Sequence, residues 1–286
     1  MGAWSLLLLA FACQSREPAV RTPAPSHPLH RIVTLAPNLT EIVYALGAGD
    51  SVVGTDDYSD YPPAAKAKPK VGGIVPNVEG IAALHPDVVL VSASAAGPPL
   101  RSALARVHLP YAIVATDRAA DVIMAMERVA TLIGLKDDVA SRARVDLACA
   151  LKGYRRHREK KPRVLFVAYA DPLHVAGHQT FTGDIIDLCG AENAATVKGW
   201  PQYSMEALLA NPPDIVLHPD KSVDHAQVVA LFAKAAKQPE VRAVDENIFS
   251  RPGPRIVGAA AILDAILDAW ERRGVIRTPL VRPRPD

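Results

Sequence analysis

The chain of 286 residues is 49% hydrophobic and 22% charged, a composition that can bury one large core or two modest ones. Its 32 basic and 30 acidic residues leave a formal net charge of +2, spread along the sequence. That balance argues against the concentrated basic footprint of a nucleic-acid binder.

Residues 4–12 form a short apolar run that gives way to polar residues after Cys13. The run is too short to span a bilayer and reads as the apolar region of a secretory signal. A Cys directly after Ala-Phe-Ala resembles the lipobox of bacterial lipoproteins, although Ala10 stands where Leu is usual and no Lys or Arg precedes the run. The expectation is export to the periplasm or another extracytoplasmic space, with the membrane met only through a lipid on Cys13. Residues 14–28, rich in Pro, Arg and Ser without periodicity, read as a flexible tether, so that 1–29 form signal and tether.

A first α/β lobe is predicted over 30–134. Ile32-Val-Thr-Leu35 reads as a buried strand, and Pro37-Asn-Leu-Thr40 as a turn and cap for a helix closed by Gly47. Val52-Val-Gly is a second strand. After a Gly-Gly turn, Asn77 can cap a helix that carries Glu79 in its first turn, and residues 88–91 follow as another apolar strand. A helix from about Leu100, a strand over 111–114 and a helix over 121–133 complete an alternation that implies a mainly parallel sheet.

Gly134 breaks the pattern. Residues 136–158 then place Val139, Ala143, Leu147, Leu151 and Tyr154 three or four apart, predicting one helix on the order of 30 Å long that bridges two lobes, within a segment 135–160. The second lobe, 161–274, opens with the strand Arg163-Val-Leu-Phe-Val167. It continues through a helix over 183–193, a loop bearing Trp200, a helix bearing Glu206, a strand, a helical region over 220–236 and a final helix over 256–270. Residues 275–286 read as a disordered tail.

The two lobes echo each other. Glu79-Gly-Ile-Ala-Ala-Leu-His-Pro-Asp-Val-Val-Leu90 and Glu206-Ala-Leu-Leu-Ala-Asn-Pro-Pro-Asp-Ile-Val-Leu217 share the Glu, an Ala, the Pro-Asp and the closing Val and Leu without a gap. A weaker echo links residues 41–50 with 184–193. One unit written twice predicts two doubly wound, Rossmann-like α/β lobes joined by a single long α-helix.

No nucleotide-binding glycine motif, zinc-protease helix or nucleophile elbow is present, which argues for a binding protein rather than an enzyme. His174 and His178 lie four apart, but the intervening Val-Ala-Gly reads as strand or turn, so no dedicated metal site or cofactor is expected. Cys149 and Cys189 sit in helical patterns among apolar neighbours and read as buried free thiols. Aromatic residues are only 5% of the chain, which draws attention to Tyr58 and Tyr61 before Pro-Pro and to Trp200 before Pro-Gln. Loops leaving strand ends in doubly wound lobes line the ligand crevice. Glu79 and Glu206 each gain about 0.3–1 kcal/mol at a helix start; recurring in both repeats, they form a pseudo-symmetric pair that could meet basic patches on a symmetric partner.

These residues resemble the substrate-binding proteins of ABC importers for vitamin B12, iron-siderophores and haem. The matching pieces are Arg31-Ile-Val-Thr-Leu with Asn38 and Thr40-Glu41, Tyr58-Ser-Asp-Tyr-Pro-Pro63, Asn77-Val-Glu79 with Leu84-His-Pro-Asp87, and Cys189-Gly-Ala-Glu-Asn193. Trp200-Pro-Gln-Tyr-Ser204 with Glu206, and Ser250-Arg251 with Pro254-Arg255-Ile256, complete the set over residues 30–270. Tyr-Ser-Asp-Tyr-Pro-Pro with Trp-Pro-Gln points to the cobalamin branch.

The resemblance implies a monomeric carrier with two lobes and one rigid helix, ligand held between them with only small closure, and Glu79 and Glu206 docked on arginines of a permease dimer. It places Tyr58 and Trp200 on a corrinoid, Asn247 where an Asp can face the ligand, and Asn38 among the pocket residues. Two further Trp positions are taken by Ile74 and Ser92, and Phe positions by Ala168 and His174, with Tyr169 adjacent. The disulfide partner of Cys189 falls on Asp264. The alternative ligand is haem or a ferric siderophore, with Tyr58, Tyr169 or His174 as iron ligand.

Overall fold

The computed structural model describes residues 29–276. Cys13, the tether and residues 277–286 lie outside them, while 275 and 276 belong to the last helix rather than to a tail. The first lobe runs β1 (Ile32–Thr34), α1 (Pro37–Ala45), β2 (Val52–Thr55), α2 (Pro63–Lys66), α3 (Val78–Ala83), β3 (Val88–Ser92), α4 (Pro98–Arg106), β4 (Tyr111–Val114) and α5 (Ala119–Leu132). Its sheet is parallel throughout in the order β2-β1-β3-β4. Buried on both faces, β1 and β3 therefore read as unbroken apolar runs.

After α6 (Asp137–Lys152), the second lobe runs β5 (Arg163–Ala170), β6 (Leu173–Val175), α7 (Phe181–Leu188), β7 (Glu192–Asn193), α8 (Met205–Ala210), β8 (Ile215–Pro219), α9 (His225–Leu231), β9 (Glu240–Val244), α10 (Glu246–Phe249) and α11 (Ile256–Ile276). Strands β7, β8 and β9 are parallel partners in the β5 sheet, and β6 pairs antiparallel with the end of β5.

Three helices are shorter than predicted; the one expected over 183–193 ends at Leu188, because Glu192 and Asn193 pair with β5 as β7. Helix α6 covers 16 residues, about 24 Å at 1.5 Å per residue, and stops at Lys152 instead of continuing to residue 158. The residues beyond it are committed to tertiary contacts. Arg156 N–H donates to Leu188 O, and Arg158, buried, donates to Cys189 O and forms ion pairs with Asp264, Asp268 and Glu271 of α11. Likewise the helix expected over 220–236 is reduced to α9, because Asp224 caps it at residue 225 and the Asp220 carboxylate accepts from Glu246 N–H.

The internal repeat has a structural cause. In each lobe a six-residue helix is followed, four residues after its end, by a strand that pairs with the first strand of that lobe. The Asp of Pro-Asp accepts from the backbone N–H that opens this first strand: Asp87 from Arg31 at 3.0 Å, Asp214 from Arg163 at 2.8 Å. The same two arginines then reach back to the helix-end carbonyls, Arg31 to Leu84 and His85, Arg163 to Asn211 and Pro212. These contacts satisfy carbonyls that a helix end leaves without intrahelical partners.

The fainter echo, between 41–50 and 184–193, marks the junction of the lobes. Glu41 on α1 and Asp184 on α7 each follow the first strand of their lobe, and each binds an arginine at the start of a helix from the other lobe. Arg255, just before α11, donates to both Glu41 oxygens at 2.8 and 2.5 Å; Arg118, the N-cap of α5, donates to both Asp184 oxygens at 2.8 and 2.6 Å. Around these forks one apolar cluster runs through both lobes, with Val122 and Met126 of α5, Ile185 and Ile186 of α7, and Leu263 and Leu267 of α11. The covalent link through α6 is thus accompanied by a shared core, while each sheet packs its outer face on a separate cluster.

Candidate functional site

A cavity of about 380 Å³ opens between the lobes, lined from the loops after β1, β2, β3, β4 and β9. Every one of these loops leaves the carboxyl end of a parallel strand, where chain reversal gathers backbone and short polar side chains around a crevice. From the first lobe come Asn38, Tyr58, Ser92, Thr116 and Asp117; from the second come Glu246, Ser250 and Arg251.

Tyr58 is held from below and free above. Its N–H donates to Asp56, whose carboxylate also accepts from Ser59; Ser59 joins Thr40 at 2.7 Å, and Lys70 Nζ donates to Ser59 O at 2.6 Å. Burial raises the Asp56 carboxyl above the ordinary carboxylate range, against the lowering effect of the Ser59 and Tyr58 hydrogen bonds. The ring lies across Gly73, where an added Cβ would come 3.1 Å from it, and remains 55% exposed. Ile74, next in the same loop, is 89% exposed. Asn38 is buried and already engaged, donating to Thr116 Oγ1 at 2.8 Å and Pro252 O at 3.2 Å, so it ties the two lobes at the cleft floor.

Trp200, Tyr169 and His174 are brought together on the second lobe, outside the cavity lining. The segment 197–203 runs beside β6, with Gly177 N–H donating to Gly199 O and Val175 N–H to Pro201 O. Tyr169 and His174 meet edge to face, ring centroids 6.0 Å apart, with Tyr169 60% exposed. His174 Nδ1 donates to Pro172 O, which leaves Nε2 as the acceptor in the neutral ring. Trp200 packs edge-on against Phe166 at 6.2 Å, and Phe166 stacks on Phe249 at 6.1 Å, so an aromatic run reaches from Ser250 of the cavity wall to the 41% exposed Trp200.

Asn247 is not among the residues that line the cavity. Its carbonyl accepts from Arg255 and its N–H donates to Asp245; the cavity wall is formed by its neighbour Glu246. Sequence reading missed Glu246, Thr116 and Asp117, which carry no motif; the signal available was their position directly after β9 and β4. Arg251 was visible only within the resemblance. It binds Asp60 at 2.5 Å and lies 3.8 Å from Glu41, so the lining cation is already matched by carboxylates. For Asp60, the Arg251 hydrogen bond and charge outweigh burial and hold the carboxyl below its usual range.

Glu79 and Glu206 are both exposed and hold equivalent places, the second residue of a helix capped by Asn77 or Ser204. Of the two cysteines, both free as expected, only Cys149 departs from expectation, by its exposure. Cys189 is buried, and burial pushes its thiol up to about 12, whereas Cys149 is exposed on the solvent side of α6; both are free. Asp264 does stand near Cys189: Arg158 bonds Cys189 O and Asp264 together, so an ion pair occupies the place of a cross-link. Among the described residues no group of three or more His, Cys, Asp or Glu could hold a metal, and no helix is long and apolar enough to cross a membrane.

Two α/β lobes with a shared core and a cleft built from strand-end loops of both define a two-lobe binding protein. Residues 32–239 match the family described as periplasmic binding protein, and the chain belongs to that family. It is 32% identical over 245 residues to the vitamin B12-binding protein of Pectobacterium atrosepticum, covering 80% of this chain and 85% of that one. In fold it is similar to a periplasmic heme-binding protein, BhuT, in complex with two hemes, at TM-score 0.74 and 27% identity over 84% of this chain and 98% of that one. It is also similar in fold to the periplasmic vitamin B12 binding protein BtuF of Vibrio cholerae, at TM-score 0.71 and 24% identity, covering 86% of this chain and 99% of that one.

Proposed function

We propose that this protein captures cobalamin or a related corrinoid between its lobes and delivers it to the transmembrane permease of an ABC importer, making and breaking no covalent bond. It acts as an exported monomer, held to the membrane by a lipid on Cys13. The observation that carries the reading is an exposed aromatic face, Tyr58, over a cleft whose lining cation is tied to Asp60 and Glu41. Such a wall suits a large, flat ligand whose ring edge carries no carboxylates. Relatives named vitamin B12-binding proteins, at 32% identity over most of the chain, support the same ligand class. Haem is the second reading, favoured by the likeness to a heme-binding structure and by the Tyr169–His174 pair, whose exposed ring atoms could serve iron.

Titration of the purified protein with cyanocobalamin, haemin and a ferric siderophore, followed by Trp fluorescence and visible absorbance, separates the readings. Cyanocobalamin is expected to saturate the Trp fluorescence and absorbance changes at micromolar concentration or below. Tight haemin binding with a shifted Soret band and no response to cobalamin would replace the first reading with the second.

Docking on the permease rests on the equivalent, exposed Glu79 and Glu206. Charge reversal of both, Glu79→Lys with Glu206→Lys, should abolish most ligand uptake in a reconstituted importer while leaving the Kd for ligand within about twofold, because neither residue lines the cleft. Unchanged transport by the double variant would remove these residues from the interface.

A further inference from the structure

We infer that Glu246 is a specificity-determining residue of the cleft, selecting ligands that present amide or hydroxyl donors at its wall and disfavouring those that present a carboxylate. The inference rests on the cleft being the ligand site, as proposed above. Glu246 opens α10 directly after β9 and is one of the residues that form the cavity wall. Its Oε2 atom is buried and has no hydrogen-bond partner among the described residues. A buried acceptor without a donor is unfavourable, and a ligand N–H or O–H placed there relieves that penalty.

The surrounding charges act in the same direction. Arg251, the cation of this wall, is taken up by Asp60 at 2.5 Å with Glu41 at 3.8 Å beyond it. The backbone N–H of Glu246 already donates to Asp220, and Asp117 adds a carboxylate from the opposite lobe. An incoming carboxylate would therefore meet like charge without a free cation, whereas a primary amide would meet an unpartnered acceptor. Corrinoids carry primary amides around the ring; haem carries two propionates. One wall residue thereby separates ligands that are both large, flat and aromatic-seeking.

The test compares cyanocobalamin with its monocarboxylic acids, in which one side-chain amide is hydrolysed, and with haemin, on wild type, Glu246→Gln and Glu246→Ala. Wild type should prefer cyanocobalamin over the least favoured monocarboxylate by about tenfold, and both variants should reduce that preference at least about threefold, chiefly by gaining on the acid. Haemin affinity should rise in both variants. Thermal melting of each variant checks that the fold is retained. If cyanocobalamin binds and its preference over every monocarboxylate is the same in all three proteins, the role of Glu246 is overturned and the ligand assignment stands. If cyanocobalamin does not bind at all, the ligand assignment fails, and haemin decides the role of Glu246: affinity unchanged in the variants, or no haemin binding, overturns it.

Discussion

Replacing Arg255 with Ala should lower the stability of the protein by about 3 kcal/mol at neutral pH, near the low end for breaking a buried ion pair by removing one partner. Glu41 would be left with a side chain only 2% exposed, a low-dielectric position, and Arg251 at 3.8 Å as its remaining cation. Arg255 also donates to Asn247 O and lies 4.1 Å above the Tyr61 ring, so the same deletion loosens α10 and the loop before α2. Arg255 is itself 20% exposed, and the residual Arg251 compensates in part, which is why the upper end of the range is not expected. For a domain of this size the melting temperature should fall by roughly 6–12 °C.

The loss should depend on pH in a defined sense. Burial raises the Glu41 carboxyl above its ordinary value even though the Arg255 hydrogen bond and charge lower it. A raised carboxyl holds its proton more tightly when folded, so this group favours the folded state most below its unfolded pKa of about 4.3, and that contribution is lost as pH rises through the folded value. Without Arg255 the folded value rises further. The deficit of the variant should therefore be smaller at pH 5 than at pH 8, and Glu41→Gln in the Arg255→Ala background should recover most of it at pH 8. Equal deficits in urea titrations at the two pH values would mean that the pair is not an electrostatic clamp.

Tyr58→Ala should weaken cyanocobalamin binding by about 30-fold, corresponding to about 2 kcal/mol from loss of a half-exposed ring that ligand would cover. The ring is 55% exposed before ligand arrives, and the loop beneath it is fastened through Asp56, Ser59 and Lys70 rather than through the ring itself. Thermal stability should consequently be nearly unchanged, and Tyr58→Phe should retain affinity within about threefold, since the expected contact is with the face and not the hydroxyl. A Kd for Tyr58→Ala within twofold of wild type would place the ligand elsewhere, with Trp200 and the Tyr169–His174 pair as the next surface to test.

Both effects concern residues that were named from the sequence as parts of motifs, yet for different reasons than the structure supplies. Arg255 stood in Pro-Arg-Ile as a mark of resemblance; its partner Glu41 is 214 positions away, and no local pattern joins them. Tyr58 stood out because aromatic residues are scarce, and it does line the cleft. Trp200, picked on the same ground, shares its faces with Phe166 and Phe181 and lies beyond the lining of the cavity.

What the sequence determined by itself is the scaffold: the alternation of strands and helices, the two copies of Glu, Pro-Asp and apolar strand, and the cap at Asn77. Such features depend on neighbours within a few residues, where backbone propensity, capping and strand burial act directly. Only the tertiary structure decided where α6 ends, which helices join the lobes, and which residue of α10 lines the cleft. Adjacent helical residues point about 100° apart. The burial of Phe249 and the capture of the Asn247 carbonyl by Arg255 accompany a turn of α10 that places Glu246 in the wall, and those contacts come from residues far off in the chain.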